Sequence, residues 1–193
     1  MQAPRAEPHF ELGELIVRRA RVDEAPLALD YVLRNKQHLA PYSPARPDSF
    51  YTLEHWASAL HAAEQSFRQD RDAKCFIYRR DLSCIVGEVN LSNFVRGAFQ
   101  ACYLGYSVDS TVQGTGVMTT AVEAVVQYAF RTLCLHRVMA NYIPSNLRSQ
   151  RLLARLQFVR EGFAPNYLLI AGRWQDHILT ARTNPDWQPA PIA

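Results

Sequence analysis

A glycine-rich loop between an apolar strand pattern and an apolar helix pattern constrains this sequence more than any other feature. The stretch Tyr106 to Val108 ends a predicted strand, Gly114 and Gly116 follow, and helical periodicity begins at Val117. Glycines let the backbone approach a ligand closely and adopt left-handed conformations. The first amides of a helix lack internal partners, and the helix dipole places partial positive charge beside them. The segment therefore predicts a pyrophosphate site, with a tight turn that binds nothing as the alternative.

The same loop departs from two common nucleotide-binding motifs. Thr119 stands where the dinucleotide fingerprint requires its third glycine. No Gly-Lys-Ser or Gly-Lys-Thr follows the loop, as a P-loop would require. We therefore expect a phosphate-bearing ligand that needs no obligatory metal.

Apolar residues recur with both helical and strand periods along the chain, which predicts a mixed α/β fold. A length of 193 residues fits one domain. We expect a flexible N-terminus at 1–10, the domain at 11–187 and a C-terminal tail at 188–193. Strands are predicted at 14–19, 75–78, 84–91, 99–108, 136–142, 163–170 and 174–180, and helices at 23–39, 52–67, 114–129 and 145–156. Asp23 and Thr52 are the expected caps of the first two helices.

Charge and composition exclude several classes of protein. The balance of 21 Lys and Arg against 18 Asp and Glu leaves +3, too little to indicate a nucleic-acid-binding protein. The sequence holds no uncharged apolar run of about 18 residues, so we expect no membrane-spanning helix, and no secretory signal. The sequence has four cysteines, and their spacing fits neither a metal site nor a redox pair: Cys75, Cys84, Cys102 and Cys134. We expect reduced thiols, no metal and a cytoplasmic location.

A second polar helix start follows the predicted strand at 136–142. Ser145 is the expected cap of this helix. Asn146 and Ser149 lie three residues apart, so their side chains face the same side of the first turn, and we expect them to be functional. The arginines at positions 148, 151 and 155 form a basic face, for which we favour exposure to solvent over contact with an acidic ligand.

These motifs together resemble the Gcn5-related N-acetyltransferase family. The resemblance rests on Gln113-Gly114-x-Gly116 followed by a strand and Asn146-x-x-Ser149, and on the stretches 93–106, 136–142, 166–170 and 176–187. It extends from about Leu15 to Trp187, nearly the whole chain. Within the family, the chain resembles bacterial enzymes that acetylate the N-terminal alanine of a ribosomal protein.

The resemblance implies a mostly antiparallel mixed sheet that splits into a V and is flanked by helices. It also implies acetyl-CoA as cosubstrate and direct attack of an amine on the thioester. The backbone amide near Val108 would polarise the carbonyl, and Ser149 would lie near the sulfur. The cofactor-binding residues it implies are Tyr106, Ser107, Val108, Gln113, Gly114, Thr115, Gly116, Val117, Met118, Asn141, Asn146 and Ser149.

The chain departs from the family at two catalytic positions. Tyr103 stands where many members carry a glutamate, and Leu153 where many carry a tyrosine acid. For removal of the amine proton we consider Glu88, with a solvated strand carboxylate as an equally good interpretation. His177 is the second candidate, although a packed histidine is the simpler reading of that residue.

Aromatic and polar residues around the expected gap are candidates for acceptor binding: Tyr42, Trp56, Asn93, Tyr103, Tyr142 and Tyr167. The implied partner is a ribosomal protein N-terminus or a ribosome assembly intermediate, with no membrane and no sequence-specific nucleic acid. Two alternatives stay open. One is acetylation of another protein, a small amine or an antibiotic, and the other is a module that binds acetyl-CoA without turnover.

Overall fold

Each of the predicted strand segments forms a strand in the structure, and buried and less buried side chains alternate along residues 87–92. The computed structural model describes residues 6–189. Its strands are β1 (His9–Leu12), β2 (Leu15–Arg19), β3 (Ala73–Arg79), β4 (Ile85–Val95), β5 (Ala101–Val108), β6 (Arg137–Met139), β7 (Val159–Ile170) and β8 (Arg173–Thr183). Its helices are α1 (Ala25–Arg34), α2 (Lys36–Leu39), α3 (Leu53–Arg68), α4 (Val117–Arg131) and α5 (Leu147–Arg155), with short 3-10 turns at Val22–Glu24, Ala40–Tyr42, Asp48–Tyr51 and Ser110–Val112.

All eight strands form one sheet in the order β1-β2-β3-β4-β5-β6-β8-β7. Neighbours are antiparallel except β5 and β6, which run parallel. That parallel pairing joins only Ala101–Tyr103 to Arg137–Met139. The rest of β5 lies beyond the pairing, so the sheet opens toward the carboxyl end of β5. The expected mixed α/β fold with a split, mostly antiparallel sheet is confirmed.

Two cores cover the two faces of the sheet. Adjacent residues of a strand point to opposite faces, and Phe76 and Ile77 of β3 belong to different buried clusters. The larger cluster contains Ile77 and the apolar faces of α4 and α5. The smaller one contains Phe76 with Tyr31 of α1 and Trp56 of α3. The two faces of β3 therefore lie under different sets of helices, and Ile85 and Val89 of β4 also belong to different clusters.

The structure corrects the expected flexible N-terminus at 1–10. Residues 9 and 10 belong to β1, where Phe10 pairs with Val17 of β2. The Phe10 ring also lies edge-on to Tyr128 of α4, with 6.2 Å between ring centroids. These strand and ring contacts fix a segment whose polar composition indicated a loop. Residues 1–5 and 190–193 lie outside the described part of the chain, so the expected tail at 188–193 falls mostly outside it.

Several predicted boundaries also move. The helix expected at 23–39 is interrupted at Asn35, and Glu24 rather than Asp23 precedes its first residue. Strand β6 is shorter than predicted, because it ends where its pairing with β5 ends. Beyond it, Tyr142 forms an isolated β-bridge with Ile178. The expected cap of α3 is confirmed: the Thr52 hydroxyl accepts a hydrogen bond from the amide of His55 at 3.2 Å. Within residues 6–189, none of the helices is long and apolar enough to cross a bilayer.

Candidate active site

The loop between β5 and α4 has the geometry of an anion site. Gly114 and Gly116 have φ angles of 84° and 90°, which L-residues adopt only with strain. Among the other residues from 6 to 189, the two chain neighbours of each glycine aside, no atom lies within 4 Å of the position that a Cβ would take, so the loop is open at both. Gly116 precedes α4 and supplies no side-chain cap. The first amides of α4 therefore face no capping side chain, and the positive end of the helix dipole is available to a ligand.

A buried aspartate fixes the start of this loop. One Asp109 carboxylate oxygen accepts hydrogen bonds from the Thr111 amide and hydroxyl, at 2.9 and 2.7 Å. The other accepts from the Asn35 side chain at 3.0 Å and forms an ion pair with Arg34. The side-chain oxygen Oδ1 of Asn35 in turn accepts from the amide of Ser110 at 3.1 Å. This cluster, which we call the Asp109 clamp, ties α1 to the loop.

The electrostatics of the clamp favour the charged carboxylate. Burial alone would raise the pKa of Asp109, but hydrogen bonds from Asn35 and Thr111 and the charge of Arg34 lower it to about 2. Asp109 is only 1% exposed, so an unpaired charge there would be costly. This cluster is absent from the site residues expected from the sequence. An aspartate directly after a strand and two residues before a threonine is an Asx-turn signal that could have indicated it.

The loop opens into a cavity of about 410 Å³, which we call the first cavity. Of the residues expected to bind the cofactor, it is lined by Tyr106, Ser107, Val108, Gln113, Gly114, Gly116, Val117, Met118, Asn146 and Ser149. Its wall also includes Arg148, Arg151 and Arg155 of α5. These arginines are exposed, as the solvated-face interpretation expected, but they also place positive charge beside the amides of α4.

Two expected cofactor-binding residues do not line the first cavity. The Thr115 hydroxyl donates to the Val112 carbonyl at 2.7 Å and lies on the exposed side of the loop. The Asn141 amide nitrogen donates to the Tyr167 hydroxyl at 3.2 Å, and its oxygen accepts from the Thr180 amide at 3.3 Å. Asn141 therefore ties the end of β6 to β7 and β8.

Ser149 lies on the floor of the first cavity and is positioned by two hydrogen bonds. Its amide donates to the Asn146 side chain at 3.1 Å, so Asn146, and not Ser145 as expected, is the cap of α5. Its hydroxyl lies 2.7 Å from the Tyr106 hydroxyl. Burial raises the pKa of Tyr106 to about 12, so this phenol keeps its proton at neutral pH. Tyr106 can donate to Ser149 Oγ, which leaves the serine proton free for another acceptor.

A second cavity of about 420 Å³ lies on the opposite face of the β4–β5 pair. It shares Leu39, Ser43 and Ser107 with the first cavity, so the two meet at the end of β5. Its wall combines aromatic and charged side chains: Tyr31, Phe50, Tyr51, Trp56, Lys36, Arg46, Lys74 and Glu88.

Glu88 lies in the second cavity beside the wall that both cavities share. Its carboxylate accepts from Lys74 Nζ at 2.9 Å and from the Ser107 hydroxyl at 3.3 Å. Burial would raise the pKa of Glu88, but the charge of Lys74 and the hydrogen bonds to the carboxylate outweigh it and lower the pKa. Glu88 is therefore a paired, partly buried carboxylate rather than a free solvated one. On its other side Ser107 lies 2.8 Å from the Tyr31 hydroxyl, whose pKa is raised by burial.

Among the described residues that line the second cavity, two have a buried polar atom without a hydrogen-bond partner. Trp56 Nε1 and Asn90 Oδ1 are buried and have no hydrogen-bond partner within residues 6–189. Both residues line the second cavity. Leaving a buried donor or acceptor unpaired costs about 1–3 kcal/mol. A polar ligand in this cavity would be favoured if it supplied the missing partners.

The structure separates the residues expected to bind the acceptor. Trp56 lines the second cavity, whereas Tyr42 lines the first. Neither cavity is lined by Asn93, which is exposed at the end of β4, or by Tyr142, which is buried in the larger core. Tyr103 and Tyr167 also lie outside both cavities. The pKa of Tyr167 is raised, chiefly by burial and in smaller part by its hydrogen bond with Tyr103.

Two further positions discussed from the sequence are buried. His177 is 4% exposed and its Nδ1 lies 3.0 Å from the Gln175 carbonyl oxygen. Leu153, at the position where the family often carries a tyrosine, is 1% exposed in the larger core. Among residues 6–189 we find no group of three or more His, Cys, Asp or Glu placed to hold a metal.

The sequence is similar to known proteins over most of its length. The family model described as Acetyltransferase (GNAT) domain matches residues 14–159. The [ribosomal protein uS5]-alanine N-acetyltransferase of Escherichia coli strain K12 is 43% identical over 175 residues, which cover 91% of this chain and 90% of that protein. The family model includes every residue that lines the first cavity.

Solved structures give the same result. A ribosomal-protein-S5-alanine acetyltransferase from Vibrio fischeri is 39% identical, with a TM-score of 0.91 over 94% of this chain and 99% of that one. Mycobacterium smegmatis RimJ, solved in complex with CoA-disulfide, is 28% identical, with a TM-score of 0.83 over 94% of this chain and 86% of that one. The split sheet and its loop are thus shared with proteins of known fold.

Proposed function

Because the chain belongs to the acetyltransferase (GNAT) domain family, we propose that it acetylates the N-terminal alanine of a ribosomal protein. Membership confirms the family inferred from the motifs: the chain is an N-acetyltransferase and acetyl-CoA is its acetyl donor. The specificity for alanine at a ribosomal protein N-terminus follows the relative that is 43% identical over nearly the whole length of both chains.

The meeting of two cavities at Ser107 is the observation that carries the proposal. Acetyl transfer requires a thioester and an amine to be held together, and positioning of this kind can contribute about 7–11 kcal/mol in ideal systems. A nucleotide-bearing donor suits the first cavity, and an amine-bearing acceptor suits the second. The shared residues Leu39, Ser43 and Ser107 then mark where the two reactants would meet.

The residues of the first cavity fit acetyl-CoA. The open glycine loop and the uncapped amides of α4 suit a pyrophosphate. Arg148, Arg151 and Arg155 add three cations to the same wall, which suits a ligand with several phosphates. A positive wall of this kind needs no metal to balance the phosphate charge.

Ser149 and Tyr106 are the pair that we assign to the leaving group. Tyr106 remains protonated at neutral pH and can donate to Ser149 Oγ. Ser149 then directs its own proton away from Tyr106 and can stabilise a thiolate in the cavity that it lines. The two hydroxyls thus supply a proton to the departing sulfur.

Glu88 is the group that we assign to the acceptor amine. The pKa of this carboxylate is lowered, so it is ionised at neutral pH and can accept a hydrogen bond from an ammonium group. An α-amine has a pKa of about 8, against about 10.4 for lysine, so a useful fraction is neutral near pH 7. A weak base is therefore sufficient to deprotonate a protein N-terminus, whereas a lysine side chain would require a stronger one.

We place this enzyme in the cytoplasm, where newly made ribosomal proteins are found. The acceptor is either the free ribosomal protein or the same N-terminus in a ribosome assembly intermediate. Neither a small amine nor an antibiotic is favoured by a specific feature of the second cavity.

Release of free thiol from acetyl-CoA tests the proposal. The assay compares a peptide that begins with alanine, the same peptide with a blocked N-terminus, and a small amine. We expect thiol release and a mass gain of one acetyl group only with the free alanine peptide. Turnover with the small amine alone would replace the proposed acceptor, and absence of turnover with every amine, despite acetyl-CoA binding, would favour the silent module.

A further inference from the structure

The charges of the second cavity are unbalanced. Among the described residues, its wall carries three cations, Lys36, Arg46 and Lys74, but a single carboxylate, Glu88. Lys74 is paired with Glu88 at 2.9 Å. Within residues 6–189, neither Lys36 nor Arg46 forms an ion pair with an acidic side chain. The cavity therefore keeps two uncompensated positive charges on one side.

Both of these cations are held against aromatic rings of the same cavity. Lys36 Nζ lies 4.1 Å from the centroid of the Tyr51 ring, and Arg46 Cζ lies 4.7 Å from that of Phe50. Such contacts stabilise a cation by about 0.5–1 kcal/mol at exposed sites. They also limit the freedom of two long side chains, so less entropy is lost when an anion binds. The two charges are thus positioned before a ligand arrives.

We infer that the second cavity selects acceptor chains that carry a carboxylate within the first few residues after the reactive N-terminus. This inference rests on the proposed function, which places the acceptor in this cavity. A volume of about 420 Å³ holds only a short segment of peptide, so the carboxylate must lie close to the amine. Lys36 and Arg46 would bind that carboxylate, while Glu88 and Lys74 remain paired near Ser107.

Matched peptides test the inference without altering the protein. Peptides that begin with alanine carry either glutamate or glutamine at position 2, 3 or 4 and are otherwise identical. Ion pairs at exposed sites are weak, so we expect kcat/KM for the glutamate peptide to be about fivefold higher at one of these positions. The ratio should fall as salt is added, since exposed charges are screened.

Charge-reversal variants locate the effect. The double variant Lys36→Glu, Arg46→Glu should lose the preference and favour a peptide with lysine at the sensitive position. The exposed Arg160 on β7 lines neither cavity, so Arg160→Glu should keep the wild-type ratio. Thermal unfolding of each variant shows that the fold is retained.

The outcomes separate this inference from the function on which it rests. Equal kcat/KM for glutamate and glutamine peptides at all three positions would overturn the inference alone, as would a preference that survives in the double variant. Failure to acetylate any alanine peptide would overturn the proposed function and the inference together.

Discussion

The two cavities have nearly the same volume but are built in opposite ways. The first takes most of its polar groups from one stretch, residues 106–119, and from α5 with its cap Asn146. The second takes its wall from residues spread between Tyr31 and Ala171. A site made from a local turn and a helix start can be recognised in a sequence. A site made from strand register and helix packing depends on the whole fold.

The difference also extends to how each cavity interacts with charge. In the first, backbone amides, a helix dipole and the arginines of α5 all favour an anion. In the second, Glu88 is paired with Lys74 across neighbouring strands, beside two cations held on aromatic rings. We expect changes in the first cavity to affect acetyl-CoA, and changes in the second to affect the acceptor.

The largest expected effect is on the chemistry at the first cavity. Replacing Ser149 by alanine removes the proton that we assign to the leaving thiolate, so kcat should fall about 100-fold, a typical loss for an acid catalyst. The KM for acetyl-CoA should change little, because the amides of α4 and the arginines remain. Steady-state kinetics measure both, with Ser145→Ala, an exposed serine outside both cavities, as control. Normal turnover in Ser149→Ala would remove this residue from the mechanism.

The Asp109 clamp tests whether the first cavity depends on anything distant in sequence. Asp109→Asn removes the charge that Arg34 and Asn35 compensate. The lowered pKa corresponds to about 2 kcal/mol of folding free energy at neutral pH, or roughly 30-fold in the equilibrium constant. Urea unfolding should show this loss, together with a higher KM for acetyl-CoA.

The lowered pKa of Asp109 also predicts how the folding stability depends on pH. The folded pKa of Asp109, about 2, lies below its ordinary value of 3.8. The stabilisation is therefore complete above pH 3.8 and is lost as the pH falls toward 2. Asp109→Asn should flatten stability in this range, and Asp48→Asn, in the exposed turn before α3, serves as control. An unchanged acid unfolding profile in Asp109→Asn would contradict the role of the clamp.

A smaller effect is expected from the glycine loop. Gly116→Ala forces an L-residue to adopt φ near 90°, which costs about 1–2 kcal/mol. If the loop relaxes to avoid this strain, the Kd for acetyl-CoA should rise about tenfold. Gly97 in the β4–β5 turn has a φ of 70°, so Gly97→Ala carries comparable strain away from both cavities. Calorimetric titration should show weaker binding only in Gly116→Ala; equal affinities in the two variants would mean that the loop does not hold the nucleotide.

The smallest effect concerns the second cavity. Glu88→Gln should lower kcat/KM for an alanine peptide about fivefold, because much of the α-amine needs little help to lose its proton. The Kd for acetyl-CoA should be unchanged. The loss should also be greater at pH 6 than at pH 8, where more of the amine is already neutral. A loss in acetyl-CoA affinity instead would place Glu88 with the first cavity.

Sequence reasoning predicted the parts of this molecule that depend on short-range conformation. The loop at 113–118, the order of elements from β2 onward and the Thr52 cap follow from glycines, periodicity and capping residues. The split of the sheet and the acetyl donor came from the family resemblance instead. Strand β1 was not predicted, because it follows a polar segment and its extended conformation depends on pairing with β2.

The remaining site could not be predicted because it depends on strand register. The pairing of Glu88 with Ser107 across β4 and β5, and of Lys74 with Asn90 across β3 and β4, decides which polar groups meet. A shift of one residue would turn Glu88 to the other face of the sheet. The candidates Asn93, Tyr103 and Tyr167 are expected around the gap that the resemblance implies, and they lie outside both cavities.

A crystal structure with a bisubstrate analogue, in which CoA sulfur is linked through an acetyl bridge to an alanine peptide, tests the central claim most directly. We predict that the pyrophosphate lies on the amides at 113–118 and that the peptide leaves through the second cavity, past Ser107 and Glu88. A nucleotide bound elsewhere, or a peptide that leaves along another path, would contradict the account.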